Sequence, residues 1–276
     1  MEYILVLKNG LGNKIFILIN FLHLYKNVTF HIIDKTSHHQ EKIPSEKLFY
    51  LFPKLKEIKN ISFIRWKEYD ELKKKLPEFE IPFDIYYSIE GFKPSIKKYF
   101  KSNEIYDTLK EKYDFKKGIF VHFRLGDKFV LNLIELKKGK KPKYVLMKPE
   151  FYEHHISELR MNDEPVYIFT DEIPLAKCLL QGDYTFVDEG ANETFYCFQN
   201  AKRVIISEST LSFSAVLLGS KKKDFIFPDF LYMPKEDGTY KLIKSPYFKD
   251  GETQKKYLLQ TLEEYKDIVK RCKVKI

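Results

Sequence analysis

The chain has 276 residues, 44% of them hydrophobic and 32% charged, with a formal net charge of +9. This hydrophobic share is sufficient for a core, so a disordered chain is excluded as the default, and the length suits one large or two modest domains. The basic excess favours anionic ligands, but no basic helix is interleaved with aromatic residues, so we expect no nucleic-acid binding.

The three cysteines are isolated and odd in number, and they lack the spacing of a metal site. We expect Cys178, Cys197 and Cys272 to be thiols in a reducing compartment rather than a disulfide framework. The longest apolar stretch, Ile15–Leu24, is too short to span a bilayer, and the first residues show no basic leader or cleavage site. A cytoplasmic protein without a membrane segment is therefore expected.

The first part of the chain has the pattern of a strand–loop–helix–strand unit. Tyr3–Leu7 is a short apolar run typical of a buried strand, Lys14–Tyr25 has helical spacing, and Val28–Ile33 is a second strand. Between the first two lies the glycine-rich turn Asn9–Asn13, where Gly10 and Gly12 allow backbone N–H groups to approach a ligand. The spacing is not that of a Walker loop, so an ordinary structural turn remains an alternative.

Further along, Pro82–Tyr87 is predicted as a strand and Lys93–Tyr113 as a charged amphipathic helix that leads out of the first domain. Lys128–Lys143 carries a glycine, a proline and five lysines in its second half, which predicts an exposed, mobile loop. At the C-terminal end, 251–272 has the spacing of an amphipathic helix that packs back on a domain face. We expect domains at 1–113 and 114–250, followed by this helix within 251–276.

The second half alternates short apolar runs with helical segments, which predicts an α/β fold with a parallel sheet and helices on both faces. The expected strands are Ile119–Phe123, Val166–Phe169, Tyr184–Val187, Arg203–Ile206 and Phe225–Phe227, and the helices between them are Pro149–Met161, Ile173–Leu180, Glu193–Asn200 and Thr210–Leu218.

Polar residues follow most of these strands, at the carboxyl edge where open α/β sheets bind ligands. The residues that can converge there are Arg124, Thr170, Asp171, Asp188 and Ser207–Ser212. Arg124 and Asp127 either form a structural ion pair or form a supported fork that grips a diphosphate.

For the other strand-end residues, structural and binding interpretations both stay open. Ser209 and Thr210 either cap the following helix or bind an anion at its N-terminus. His122 is either a structural strand histidine or a contact to a phosphate or base. Asp171 and Asp188 either cap the next helices or bind ribose hydroxyls or base nitrogens.

Four motifs in order resemble the α1,2-fucosyltransferase family, which is related to core α1,6- and protein O-fucosyltransferases. NGLGNKIF from Asn9 resembles GGLGNQ-x-F, and HFRLGD from His122 resembles H-x-R-R-G-D. FTDE from Phe169 resembles F-S-D-D, and IISESTLSF from Ile205 resembles I-I-A-N-S-S-F-S-W. Each motif is weak alone, but the ordered set is fairly specific and spans most of the chain.

The resemblance implies two Rossmann-like domains in a GT-B-like arrangement, with the acceptor bound largely by the N-terminal half and GDP-fucose by the C-terminal half. It implies an inverting fucosyl transfer to a glycan hydroxyl, α1,2 to a terminal galactose, without a metal or another cofactor. Arg124 would hold the β-phosphate and Asp127 would support it. The further positions that it implicates are His122, Asp171, Asp188, Glu189, Ser209, Thr210 and Ser212 for the donor, with Gly10, Gly12 and Asn13 in the glycine loop and Asn13 counted with the catalytic group.

The chain departs from the family pattern at three points. Leu125 replaces the second arginine, Glu208 stands where asparagine is usual, and the aromatic pair after Ser212 is reduced to Phe213-Ser214. Two rival functions therefore stay open: a glycosyltransferase for another GDP-sugar, and a non-catalytic nucleotide- or glycan-binding protein. Because no Golgi anchor is expected, the resemblance favours a bacterial or viral type of enzyme, and the sequence indicates no oligomeric state.

Overall fold

The structure is a computed structural model that divides into two compact units. The residues it describes are 1–7, 10–34, 46–82, 88–219, 224–228, 230–234, 240–244 and 254–274. The first unit comprises Met1–Glu111, Ala191–Gln199 and Phe213–Ser220, and the second comprises Lys112–Gly190, Asn200–Ser212 and Lys221–Ile276. The chain therefore returns to the first unit twice after residue 190, whereas the sequence-based division treats 114–250 as one continuous domain.

Strands and helices alternate through most of the described chain. The strands are β1 (Glu2–Leu7), β2 (Thr29–Asp34), β3 (Ile61–Phe63), β4 (Ile119–His122), β5 (Val166–Phe169), β6 (Thr185–Val187), β7 (Arg203–Ile205), β8 (Asp224–Ile226), β9 (Phe230–Pro234) and β10 (Tyr240–Lys244). The helices are α1 (Leu11–Leu24), α2 (Glu46–Leu51), α3 (Trp66–Leu72), α4 (Pro94–Lys97), α5 (Leu109–Lys112), α6 (Gly126–Lys137), α7 (Pro149–Leu159), α8 (Ile173–Leu179), α9 (Ala191–Asn200), α10 (Thr210–Leu218) and α11 (Leu262–Cys272).

The first unit is built on a parallel three-stranded sheet in the order β1-β2-β3. The apolar run of β1 is buried because helices and loops cover it, as expected for a parallel strand. Helix α1 buries Ile15–Phe21 almost completely. Phe21 also makes edge-to-face contacts with Phe30 and Phe79, with ring centroids 5.1 and 5.0 Å apart.

The second unit contains a parallel five-stranded sheet in the order β6-β5-β4-β7-β8. The chain moves outward from β4 through β5 to β6 and then crosses to the other side of β4 as β7. The order therefore reverses between β4 and β7, which is the topological switch point where doubly wound sheets bind ligands. Strand β4 is central and completely buried. The predicted α/β class with Rossmann-like parallel sheets is confirmed.

The predicted long helix at Lys93–Tyr113 is wrong, because the chain there breaks into short helical turns. Helix α4 covers four residues, and 3-10 turns follow at Lys98–Phe100 and Glu104–Thr108. The break lies at Ser102 and Asn103. Gln199 accepts a hydrogen bond from the Ser102 hydroxyl, and the Asn103 side chain accepts one from the Ile105 amide. These contacts compete with the backbone hydrogen bonds of a continuous helix. Gln199, which makes one of them, is distant from Ser102 in sequence.

The predicted mobile loop at Lys128–Lys143 is also wrong, since α6 occupies most of it. The helix buries Phe129 and Leu133 together with the polar Asn132. The Asn132 amide donates to Tyr144 O and the Tyr265 hydroxyl, and its oxygen accepts from the Lys143 and Tyr144 amides. A buried amide with both groups satisfied orders the following segment rather than leaving it free.

Helix α11 packs against the second unit through Tyr265 and Ile268, which are buried. Tyr265 stacks on Phe129 of α6 with ring centroids 4.8 Å apart. Cys272 at its end forms a disulfide with Cys178 of α8, so the prediction of three unpaired thiols is wrong. Cys197 is buried and takes no part in a disulfide. The spacing of the cysteines along the chain could not predict this disulfide, because 94 positions separate the two residues. They meet only when α11 packs against α8.

An antiparallel pair of β9 and β10, which the sequence did not indicate, follows β8. Most of the predicted strand at Pro82–Tyr87 lies outside the described residues. None of the described helices combines the length and the apolar character that crossing a bilayer requires.

We predict that removing the disulfide with Cys178→Ser and Cys272→Ser lowers the free energy of unfolding by about 2–5 kcal/mol, because the unfolded chain regains the freedom of a long loop. Urea unfolding of both proteins, with and without reductant, measures the change. Reductant should destabilise the wild type and leave the double variant unchanged. Equal stability of the wild type in both conditions would contradict the prediction.

Candidate functional site

Arg124 lies two residues beyond β4 and is held by two carboxylates. Its Nη2 is 2.7 Å from Asp127 Oδ1, and its Nη1 is 3.2 Å from Asp171 Oδ2. The side chain is 24% exposed. Its Nε–H is buried and has no hydrogen-bond partner among the described residues. The guanidinium is therefore fixed in orientation while one of its donors is unsatisfied.

Asp171 supports the turn that carries Arg124. Its carboxylate accepts a hydrogen bond of 3.0 Å from the Leu125 amide as well as the ion pair from Arg124. Gly126 has a φ of +28°, and a Cβ at this position would clash with the Asp171 carboxylate. Asp171 does not cap the following helix, because the N-cap of α8 is Glu172.

Leu125, at the position of the family's second arginine, is a core residue. It is 2% exposed and belongs to the hydrophobic core of the second unit, together with Phe129 and Tyr265. Its side chain therefore contributes packing rather than a contact to a ligand.

His122, the last residue of β4, is buried at the switch point between β4 and β7. The hydroxyls of Ser212 and Ser207 lie 2.8 and 3.2 Å from its Nδ1. Burial, with the positive charges of Arg124 and Lys128 in second place, lowers the pKa of His122 to about 3. The imidazole is thus neutral at physiological pH and joins the ends of β4 and β7 through hydrogen bonds.

Lys128 neutralises the unusual Glu208. Its Nζ donates to the Glu208 carbonyl at 2.6 Å and lies 3.3 Å from the Glu208 carboxylate. It also lies 5.3 Å from the centre of the Tyr144 ring. The sequence reasoning missed Lys128 because it fell in the segment predicted as a loop. Its position directly after Asp127 was the available signal.

The acidic pair after β6 divides into two different environments. Glu189 lies 2.5 Å from Lys112 Nζ and accepts from the Tyr113 hydroxyl at 2.9 Å. Burial raises the pKa of Tyr113 to about 12. Asp188 is exposed. Of the two predicted donor carboxylates, Glu189 is thus engaged in contacts within the second unit.

Ser209, Thr210 and Ser212 surround the start of α10. Thr210 is its first residue, and Ser209 and Thr210 are partly exposed, while Ser212 is buried against His122. The predicted convergence of strand ends is therefore observed for β4, β5 and β7. For Asp188 at the end of β6, the structure shows no contact with that group.

The glycine loop belongs to the first unit. Gly10 is the N-cap of α1 with an ordinary φ of −70°, and Gly12 and Asn13 lie in the first turn of that helix. A Cβ at Gly10 would meet no atom within 4 Å, so the fold does not require glycine there. The helix begins three residues earlier than predicted.

Within the described part of the chain, the side chains with the mutual spacing of metal ligands are His154, His155 and Glu158 of α7. His155 Nδ1 lies 2.7 Å from a Glu158 oxygen, burial lowers the pKa of His155, and its buried Nε2 has no hydrogen-bond partner among the described residues. These three residues are distinct from the strand-end cluster, which consists of His122, Arg124, Asp127, Asp171, Ser207 and Ser212.

Neither a protein-family model nor a curated protein sequence matches the chain. Among solved structures, it is similar to fucosyltransferase NodZ from Bradyrhizobium, with 14% identity over 89% of this chain and 100% of that one, at a TM-score of 0.48. It is also similar to NodZ alpha-1,6-fucosyltransferase co-crystallized with GDP, with 15% identity over 90% and 100% and a TM-score of 0.47. At these values the likeness assigns neither a family nor an activity.

We predict that acidification destabilises the wild type more than a His122→Gln variant. The depressed folded-state pKa means that the unfolded chain binds the additional proton, so stability falls as pH drops below about 6.5 toward 3. Between pH 7 and 5 this term amounts to about 2 kcal/mol. Urea unfolding at both pH values gives the two differences. Parallel losses in the two proteins would show that His122 ionises normally.

Proposed function

We propose that the chain is a glycosyltransferase that transfers L-fucose from GDP-fucose to a glycan hydroxyl with inversion. The observation that carries the proposal is the Arg124 fork at the switch-point edge of the sheet, with a buried Nε–H that lacks a partner. A diphosphate oxygen that takes the place of the Asp127 carboxylate would let the guanidinium turn and satisfy this donor. The ordered motif set supplies the donor's identity as GDP-fucose, and the proposal does not rest on the similar solved structures.

The charge balance around Arg124 decides how a diphosphate could bind. Two cations, Arg124 and Lys128, face the carboxylates of Asp127, Asp171 and Glu208. Asp127 is 42% exposed, so its ion pair contributes little and a phosphate can replace it. Asp171 also accepts from the Leu125 amide and remains in place.

Helix N-termini add the remaining positive potential. Helix α6 begins at Gly126 and α10 begins at Thr210, both beside the strand ends. The backbone amides of a helix's first turn and the helix dipole favour a bound anion. In this proposal the Ser209 and Thr210 hydroxyls donate to phosphate oxygens, and exposed Asp188 accepts from the ribose or the base. His122 acts indirectly, because its Nδ1 forms hydrogen bonds with the Ser207 and Ser212 hydroxyls and so positions them.

In the transfer step, the acceptor hydroxyl oxygen forms a bond to the anomeric carbon while the bond from that carbon to the β-phosphate oxygen breaks. The electron pair leaves with GDP, and the Arg124 guanidinium stabilises the charge that develops there. Asp127, once released from Arg124 by the phosphate, is the carboxylate proposed to take the acceptor's proton. Asn13 is proposed as a further catalytic residue, and only the glycine-loop motif supports this role.

The finer assignment follows the motif resemblance: transfer to O2 of a terminal galactose, without a metal. Incubation with GDP-fucose and a panel of terminal galactosides, with and without a chelator, tests both points. Turnover with GDP-mannose but not with GDP-fucose would show that the donor is GDP-mannose. GDP binding without turnover on any donor would favour the non-catalytic alternative.

We predict that Arg124→Ala lowers turnover by about two to three decades, as loss of one donor to a developing oxyanion does. Arg124→Lys keeps the charge but not the planar guanidinium, so it should bind GDP more tightly than Arg124→Ala and more weakly than the wild type. Calorimetry with GDP and a GDP-release assay give the two quantities. The exposed Arg65→Gln serves as the matched control and should behave as wild type.

Near-wild-type GDP binding in Arg124→Ala, in a protein with unchanged thermal stability, would show that Arg124 is structural. Absence of GDP binding by the wild type at millimolar ligand, well above the Kd range of ordinary nucleotide sites, would refute the nucleotide site itself.

We further predict opposite effects from the two partners of the Lys128–Glu208 pair. Lys128→Gln leaves Glu208 uncompensated and should weaken GDP binding about tenfold, the effect of one unit charge on another about 12 Å away at an effective dielectric of about 20. Glu208→Gln frees the ammonium and should strengthen binding by a similar factor. The double variant should lie near wild type.

The matched control is Lys148–Glu264, an ion pair of 2.6 Å in the same unit. Its glutamine variants should leave GDP affinity unchanged. Equal changes in both pairs would indicate a general effect of charge rather than a local one.

A further inference from the structure

Helix α6 presents two exposed apolar side chains on the side opposite its packed face. Phe129, Asn132 and Leu133 are buried, whereas Leu131 and Ile134 are 39% and 38% exposed. Positions three apart lie on one face of a helix, so Leu131 and Ile134 form a small continuous apolar strip. Packing within the second unit does not account for their exposure.

A cluster of lysines continues this strip at the C-terminal end of the helix. Lys137, Lys138, Lys140 and Lys141 are all exposed, and the chain contains no acidic residue from 136 to 149. Gly139, with a φ of +72°, ends the helix and turns the chain so that lysines lie on both sides of the turn. We call Leu131, Ile134 and these four lysines the α6 patch.

Glu135, the carboxylate that pairs with lysines at the patch in the described part of the chain, does not neutralise it. Glu135 is only 12% exposed and lies 3.7, 4.0 and 3.7 Å from the ammonium groups of Lys138, Lys140 and Lys143. Three lysines thus share this carboxylate. Lysines at a helix C-terminus also stabilise the helix through its dipole, but that role does not account for the adjacent exposed leucine and isoleucine.

We propose that the α6 patch docks the protein on a bilayer surface that contains anionic lipids. A cluster of four to eight lysines beside an apolar helix face is the pattern that binds anionic headgroups while apolar side chains enter the interface. A bilayer surface fits better than single-stranded nucleic acid, whose bases stack on exposed aromatic side chains that the patch lacks. The nearby Tyr144 is partly buried, with Lys128 over its ring.

The expected contribution is about fivefold in vesicle affinity for each lysine near an anionic surface. Replacing the four exposed lysines of the patch should therefore reduce vesicle binding by roughly two to three decades. Binding should also weaken with salt, because exposed charges are screened. The inference does not depend on the proposed transfer activity, since the patch shares no residue with the strand-end cluster.

Sedimentation of the full chain with vesicles tests the proposal. One arm uses phosphatidylcholine alone, and the other contains about one third phosphatidylglycerol, a composition that gives a negative surface potential. The charge variant replaces Lys137, Lys138, Lys140 and Lys141 with glutamine and keeps Lys143 as a partner for Glu135. The apolar variant carries Leu131→Ser and Ile134→Ser. Thermal unfolding confirms that each variant is folded.

The matched charge control replaces four other exposed lysines, namely Lys67, Lys73, Lys74 and Lys75, with glutamine. The matched apolar control is Met161→Ser with Ile105→Ser, which changes two other exposed apolar residues. The proposal expects binding to the anionic vesicles only, with a large loss in the charge variant, a smaller loss in the apolar variant and little change in either control.

Three results would overturn it. The first is a wild type that does not sediment with anionic vesicles, and the second is an equal loss in the charge variant and its lysine control. The third is a homopolymeric single-stranded RNA that binds as tightly as the anionic vesicles and is insensitive to Leu131→Ser and Ile134→Ser. That third result would assign the patch to nucleic acid.

Discussion

The carboxylate of Asp171 is the group on which the arrangement of the second unit's sheet edge depends. It accepts from the Leu125 amide, faces the Arg124 guanidinium, and fits against a glycine because a side chain at position 126 would collide with it. Through these contacts the end of β5 sets the conformation of the turn after β4. Arg124 is therefore presented in one orientation by a rigid support rather than by a free loop.

The other side of the same edge is organised around a neutral histidine. His122 connects the end of β4 with Ser207 after β7 and Ser212 in α10. Protonation would place a positive charge in a buried position beside Arg124 and Lys128, which is why its pKa lies far below the usual value. The switch point thus combines uncharged hydrogen-bonding groups with a cation that the carboxylates of Asp127 and Asp171 hold in place.

Support for this edge extends through α6 to the C-terminal helix. The turn at Gly126 begins α6, the Asn132 network and the Phe129 ring of α6 contact Tyr265, and α11 is tied to α8 by the disulfide. A chain of direct contacts therefore connects the C-terminal segment with the Arg124 turn. Leu125 packs in the same core cluster as Phe129 and Tyr265.

Short apolar runs determined the strands, because a strand buried on both faces must be apolar along its length. The sequence alone therefore predicted β1, β4 and β5, the α/β class, and the convergence of Arg124, Asp171 and Ser207–Ser212 at one edge. Tertiary contacts decided the rest. Gln199 interrupts the helix predicted at Lys93–Tyr113, Asn132 and Tyr265 order the segment predicted as a loop, and Cys178 meets Cys272 across 94 positions. Each of these three features depends on a contact with a residue distant in sequence, and the local spacing of apolar residues cannot predict such a contact.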